Sequence, residues 1–184
     1  MWLLISGLLV CALPGLWAIA RAPRELSQHG RLFAITFIAT FISLVGLGAT
    51  ITLAAFVGAW PLTLSQGFAL AVGLPLIVLG ATIYLLARMR FRSFRLTWGL
   101  ASGRLVTDGI YRFSRNPQII GSLLFWSGVG VVGRSGVALL LVSALLLACL
   151  IWLPIEEHFL EHKFGEAYKR YCDSVPRFFG MTRD

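Results

Sequence analysis

Two polar stretches of this chain carry residue types at spacings that could do chemistry. The first is "IEEHFLEHKFGEAYKRY", Ile155 to Tyr171. Inside it, His158-Phe-Leu-Glu161-His162 fits the H-x-x-E-H pattern, in which two histidines hold zinc and a glutamate acts as base. A catalytic zinc needs a third protein ligand and an open coordination position. The 184-residue chain ends 22 residues after His162, and His29 lies far upstream, so no metal site is expected. Glu156 and Glu157 directly follow Pro154-Ile155 at the end of an apolar run, where an unpaired carboxylate is costly. At least one therefore calls for a cation, and Arg112 or Arg115 is the natural partner. Those arginines belong to the second stretch, "SGRLVTDGIYRFSRNPQIIGS", Ser102 to Ser122. Asp108-Gly109 is a turn signal. Asn116-Pro117 reads as an N-cap followed by proline at the first helical position, and such a helix start offers backbone N–H groups to an anion.

The elements that must position these stretches are membrane helices. Hydrophobic residues make up 58% of the chain and charged residues only 13%, where a soluble domain carries about a quarter charged. The expectation is an all-α, polytopic membrane protein with about five transmembrane helices, since roughly 20 apolar residues cross the hydrocarbon core. The runs are Trp2 to Ala20, Leu32 to Val57, Phe68 to Ala87, Ile119 to Val132 and Val137 to Leu153. The fourth is short, so the last two read as a hairpin closed by "GRSG" at Gly133 to Gly136. The first run lacks a basic leader and a cleavage site, and is kept as a span. The chain then divides into three N-terminal helices within 1–87 and a candidate catalytic region, 102–184, in a single membrane-embedded domain. A cytoplasmic amphipathic C-terminal helix is expected, with Leu160, Phe164, Tyr168 and Tyr171 on one stripe.

Cation placement orients the spans. Arg21, Arg24 and Arg31 fall in the first connection, seven arginines lie between Arg88 and Pro117, and Lys163, Lys169, Arg170 and Arg177 lie in the tail. With the N-terminus outside and the C-terminus cytoplasmic, only Arg134 falls on the wrong face. The expected setting is a bacterial inner membrane or the endoplasmic reticulum. The net charge of +8 then reflects the positive-inside bias and attraction to anionic lipid, and nucleic acid is excluded as a partner. Cys11, Cys149 and Cys172 show no paired spacing, so neither a disulfide nor a metal site is indicated. Gly99 to Gly103 fits G-x-x-x-G but reads as loop rather than mid-span.

Taken together, "GIYRFSRNPQIIGS" and the frame Glu-Glu-x-x-Leu-x-x-x-Phe-Gly-x-x-Tyr-x-x-Tyr resemble the C-terminal region of integral membrane methyltransferases. These are the isoprenylcysteine carboxyl methyltransferases and the related phospholipid methyltransferases. The matches are Gly109, Tyr111, Arg115, Pro117, Gly121, Glu156, Glu157, Leu160, Phe164, Gly165, Tyr168, Tyr171, Val175, Pro176 and Arg177. Asn116 stands where the carboxyl methyltransferases usually have His, and Ile119 replaces the usual Tyr.

The resemblance implies methyl transfer from S-adenosylmethionine to a lipophilic acceptor, either an isoprenylcysteine-like carboxylate or a phospholipid amine headgroup. It implies cofactor binding by Tyr111, Asn116, Pro117, Gly121, Glu156 and Glu157. Gly121 would permit close approach, and the glutamates would face the cofactor's amino group or ribose. Arg115 and Arg177 are the expected acceptor-binding residues, and Arg115 and Glu157 the expected catalytic ones. The alternative for Arg115 is ion pairing with the glutamates. An ionised carboxylate acceptor needs no base, whereas an amine or thiol would, with Glu157 the nearest helper. A reductase using a nicotinamide cofactor, like the sterol reductases that share a related frame, and a non-catalytic membrane subunit are the competing readings.

Overall fold

The computed structural model describes residues 2–29, 32–90 and 104–178. Six α-helices appear among them: α1 (Trp2–His29), α2 (Ala34–Phe56), α3 (Gln66–Met89), α4 (Pro117–Val132), α5 (Gly136–Phe164) and α6 (Glu166–Ser174). A 3-10 turn, Gly109–Arg112, precedes α4. The Gly99 to Gly103 pattern and the start of the candidate catalytic region at 102 lie outside the described residues. Helices α1, α2, α3 and α5 are each long and apolar enough to cross a membrane, whereas α4 has only 16 residues. The protein is thus a multi-pass membrane protein, with four helices of spanning length and one shorter apolar helix among the described residues.

Glycines set how closely these helices approach. Gly73 and Gly80 on α3, and Gly121 and Gly128 on α4, are each seven residues apart, two helical turns, so each pair shares one face. The faces meet antiparallel. A Cβ added at Gly121 would lie 2.6 Å from the Tyr84 backbone nitrogen and 2.8 Å from the Gly80 carbonyl oxygen, and one at Gly128 would lie 2.7 Å from the Gly73 carbonyl. In a bilayer the surrounding lipid is as apolar as leucine, so association depends on such close packing between small residues. On the other side of α4, Trp126 packs over Gly48 of α2, within a core of Ile51, Ala54, Ala138, Leu141 and Val142.

Three sequence boundaries move. The connection expected from Arg21 onward is helical as far as His29. Ala18, Ala22, Glu25 and Leu26 continue a buried helical face past the apolar run, and Arg21 pairs with Glu25 four residues on at 2.8 Å. Glu25 is 4% exposed and also caps the neighbouring helix. It accepts hydrogen bonds from the Phe33 amide (2.8 Å) and the Thr36 hydroxyl (2.6 Å), filling the first turn of α2, which has no side-chain cap of its own.

The fifth run does not stop near Leu153 either. α5 passes through Pro154 to Phe164 because Trp152, Ile155 and Phe159 pack against Ala22, Leu26 and Leu32 at the α1–α2 hairpin. The break falls instead at Gly165, whose φ of +53° a residue without Cβ adopts freely. The expected C-terminal amphipathic helix is therefore divided between the end of α5 and the nine-residue α6. Its apolar stripe still gathers: Tyr168, Tyr171 and Val175 form a cluster with Leu105, Leu160, Phe164 and Cys172.

At the opposite end the "GRSG" turn is knitted to the α2–α3 connection. The Ser135 hydroxyl donates to the Ala59 carbonyl at 2.7 Å, the Gly136 amide to Trp60 at 2.9 Å, and the Leu62 amide to Arg134 at 2.8 Å. Ser135 also caps α5 by accepting from the Ala138 amide at 3.2 Å.

Gly121→Ala should lower the melting temperature of the detergent-purified protein, by roughly the 1–3 kcal/mol of an overpacked core. Gly67→Ala, where nothing lies within 4 Å of the added carbon, should not lower it. Tyr171→Phe should cost ~1–2 kcal/mol in the same measurement, because the Tyr171 hydroxyl donates at 2.7 Å to the buried Tyr111 carbonyl, which would be left without that donor.

Candidate active site

Both polar stretches of the sequence come together at one end of the helices. Pro117 starts α4 at its first position, with Asn116 as the residue before it. The Asn116 side chain does not cap the helix, as the sequence pattern predicts; its Nδ2 donates to the Arg177 carbonyl at 3.0 Å. That carbonyl also accepts from the Ser114 hydroxyl at 3.3 Å, and the Arg115 amide donates to the Pro176 carbonyl at 3.0 Å. The segment after α6 thus lies along the segment before α4, tied to it by backbone.

Side chains complete the junction. Arg115 Nη1 donates to Glu157 Oε1 at 3.0 Å and to Cys172 Sγ at 2.8 Å. Arg177 holds the same carboxylate from the tail side: its Nε donates to Oε1 at 3.0 Å, and its Nη2 pairs closely with Oε2. One carboxylate between two guanidiniums leaves the cluster with a net positive charge. Among the described residues Arg115 Nε is buried without a hydrogen-bond partner, a costly state for a charged donor. The cation that the adjacent glutamates call for is Arg115, not the exposed Arg112, and it goes to Glu157. Glu156 forms no ion pair among the described residues.

These groups open into a cavity of about 1230 Å³. Tyr111, Arg115, Asn116, Glu156 and Glu157 line it, as does Ile119. Pro117, Gly121 and Arg177 do not. Gly121 is committed to the α3 backbone, and Arg177 stands behind Glu157. Away from the charged end the walls are apolar, with Phe41, Leu44, Leu47 and Ile51 from α2 facing Phe125 and Trp126 from α4. Arg88, Arg104 and Lys163 add cationic groups at the charged end. Burial pushes the Tyr111 phenol well above its ordinary range, with the nearby Glu156 carboxylate acting in the same direction. Burial raises the Tyr171 phenol as well. Both are therefore neutral hydroxyls near neutral pH.

His158 and His162 lie with ring centroids 4.2 Å apart and planes tilted by 57° on the exposed side of α5. Glu161 there faces Lys169 at 3.9 Å. Among the described residues no group of three His, Cys, Asp or Glu side chains converges as metal ligands.

Several contributors carry no signal in the sequence. Cys172 has no paired partner by spacing, yet it takes an Arg115 hydrogen bond. Ser114 is an ordinary loop serine that is 3% exposed and also accepts from the Asn116 amide at 3.1 Å. Lys163 reads as a polar-face residue, but it lies against Phe159 and Phe164 at the cavity wall.

The sequence is similar to known proteins over part of its length. Protein-S-isoprenylcysteine O-methyltransferase B of Arabidopsis thaliana is 35% identical over 79 residues, which is 40% of this chain and 38% of that protein. Its A counterpart from the same plant is 39% identical over 77 residues, covering 39% of this chain and 36% of that protein. The Schizosaccharomyces pombe protein-S-isoprenylcysteine O-methyltransferase is 35% identical over 78 residues, covering 39% and 31% respectively. The matched stretch therefore spans 38% at most of the length of these relatives. No solved structure matches the chain significantly. The family model for phospholipid methyltransferases matches residues 68–167, more than half of the chain and all of α3 to α5 except the first two residues of α3; the protein belongs to the phospholipid methyltransferase family.

Proposed function

We propose that this protein is an S-adenosylmethionine-dependent methyltransferase that acts on a lipophilic acceptor in the membrane. The observation that carries this reading is one cavity with two unlike ends. Glu156, without an ion-pair partner among the described residues, and Arg115 line its charged end, and apolar side chains of α2 and α4 line the rest. A carboxylate and a guanidinium in one wall fit the ammonium and carboxylate of an amino-acid moiety. The donor set therefore fits the cofactor. When bound, S-adenosylmethionine supplies an electrophilic methyl group on a sulfonium.

The chain's own contribution is orientation and exclusion of water. Glu156 would take the ammonium and the Arg115 guanidinium the carboxylate, which fixes the cofactor at two points. Asn116 and the neutral Tyr111 hydroxyl would add hydrogen bonds. The aliphatic and aromatic walls would hold the acceptor's hydrocarbon and keep water from the charged end. Both Glu157 oxygens are taken by guanidinium donors, which suits it to holding Arg115 rather than to removing a proton. That favours an acceptor already ionised at neutral pH, a carboxylate, over an amine. The arginines at the charged end also favour an orientation with this end and the C-terminus in the cytoplasm.

Calorimetric titration of detergent-purified protein with S-adenosylhomocysteine should show micromolar binding. Glu156→Gln should weaken it about tenfold to a hundredfold, the loss expected when a charge-assisted hydrogen bond is removed. A well-folded sample that binds NADPH and not S-adenosylhomocysteine would move the assignment to a reductase.

A further inference from the structure

We infer that Lys163 binds the carboxylate of the acceptor and so selects anionic acceptors for the site. The inference rests on the methyltransferase reading above, and it supplies an acceptor contact which that reading lacks. Of the residues expected to hold the acceptor, Arg177 does not line the cavity, and Arg115 is engaged by Glu157 and Cys172. The other cations on the wall, among the described residues, are Arg88, Arg90, Arg104 and Lys163. Arg90 and Arg104 are exposed and share the Asp108 carboxylate, at 3.7 and 3.8 Å. Arg88 lies over the Tyr84 ring, 5.9 Å from its centroid. Lys163 forms no ion pair among the described residues.

Helix geometry puts Lys163 in register with Glu156. The two are seven residues, or two helical turns, apart on α5, so they share a face at a spacing of about 10 Å along the axis. Leu160, between them, lines the cavity as well. The Lys163 ammonium lies 5.3 Å from the ring centroids of both Phe159 and Phe164, and two aromatic faces restrict where it can go. An ammonium on a largely apolar wall, with no carboxylate beside it, is suited to an anion that arrives with a ligand. A lipophilic carboxylate brings that anion together with hydrocarbon for the apolar walls. One face of α5 thus presents opposite charges to the two ligands: Glu156 to the cofactor's ammonium, and Lys163 to the acceptor's carboxylate.

The test crosses the charge of Lys163 with the charge of the acceptor. Wild type, Lys163→Met and Lys163→Arg are reconstituted in lipid nanodiscs and saturated with S-adenosylhomocysteine. Each is titrated with N-acetyl-S-farnesyl-L-cysteine and with its neutral carboxamide. Wild type should bind the carboxylate about tenfold to a hundredfold more tightly than the carboxamide, the range of one charge-assisted contact. Lys163→Met keeps an unbranched stem beside the two rings. It should lose most of that preference while its affinity for the carboxamide stays the same. Lys163→Arg should recover the preference. Affinity for S-adenosylhomocysteine should be equal in all three proteins, which also shows that the variants are folded. A Lys163→Met protein that keeps the wild-type preference, weakens equally for both acceptors, or loses S-adenosylhomocysteine binding instead overturns the inference. A wild type that prefers neither acceptor does the same. A wild type that does not bind S-adenosylhomocysteine sinks the cofactor reading, and the two acceptors titrated without it then decide the role of Lys163 by their ratio.

Discussion

Gly73 and Gly80 on α3 lie so close to Gly121 and Gly128 on α4 that a single added carbon at any of the four would meet the facing helix's backbone. This contact fixes where α4 starts. Pro117 is one turn before Gly121, so the depth at which the glycines interlock also sets the position of Arg115 and Asn116. Helix α5 follows from α4 through a turn fastened to the α2–α3 connection by Ser135 and Gly136. The far end of α5 then brings Glu156 and Glu157 back to the level at which α4 begins. Lipid gives little drive for apolar surfaces to associate, so such a chain of distances has to rest on contact between small residues.

At the charged end, the Glu157 carboxylate joins three separate parts of the chain: the start of α4 through Arg115, α5 itself, and the tail through Arg177. Burying one ion pair of this kind is of little net benefit, because desolvation offsets the attraction. Two guanidiniums and the surrounding hydrogen bonds of Ser114 and Asn116 make the arrangement tolerable. They also make it specific, since removing Glu157 would leave both guanidiniums charged and without that partner. The cluster keeps a residual positive charge beside the cavity. A second buried carboxylate, Glu25, has no such remainder, because Arg21, Thr36 and the Phe33 amide satisfy it fully as the cap of α2.

What the sequence by itself determined is the class of the protein and several residues of its candidate site. Long apolar runs admit only helices where water is absent. The resemblance carried by the two polar blocks implied Tyr111, Arg115, Asn116, Glu156 and Glu157, all of which line one cavity, and Pro117, Gly121 and Arg177, which do not. Tertiary structure decided how these residues divide the work. Neighbouring residues on a helix point about 100° apart, so Glu156 and Glu157 cannot face the same way, and only the packing of α5 determines which one meets the arginines. The use of Gly121 for helix contact rather than for the cavity, and the passage of α5 through Pro154, depend likewise on partners distant in sequence. Arg177 is the clearest case: its type and spacing fit a ligand contact, but its place behind Glu157 follows from the turn at Gly165 and the backbone bonds that seat the tail against α4.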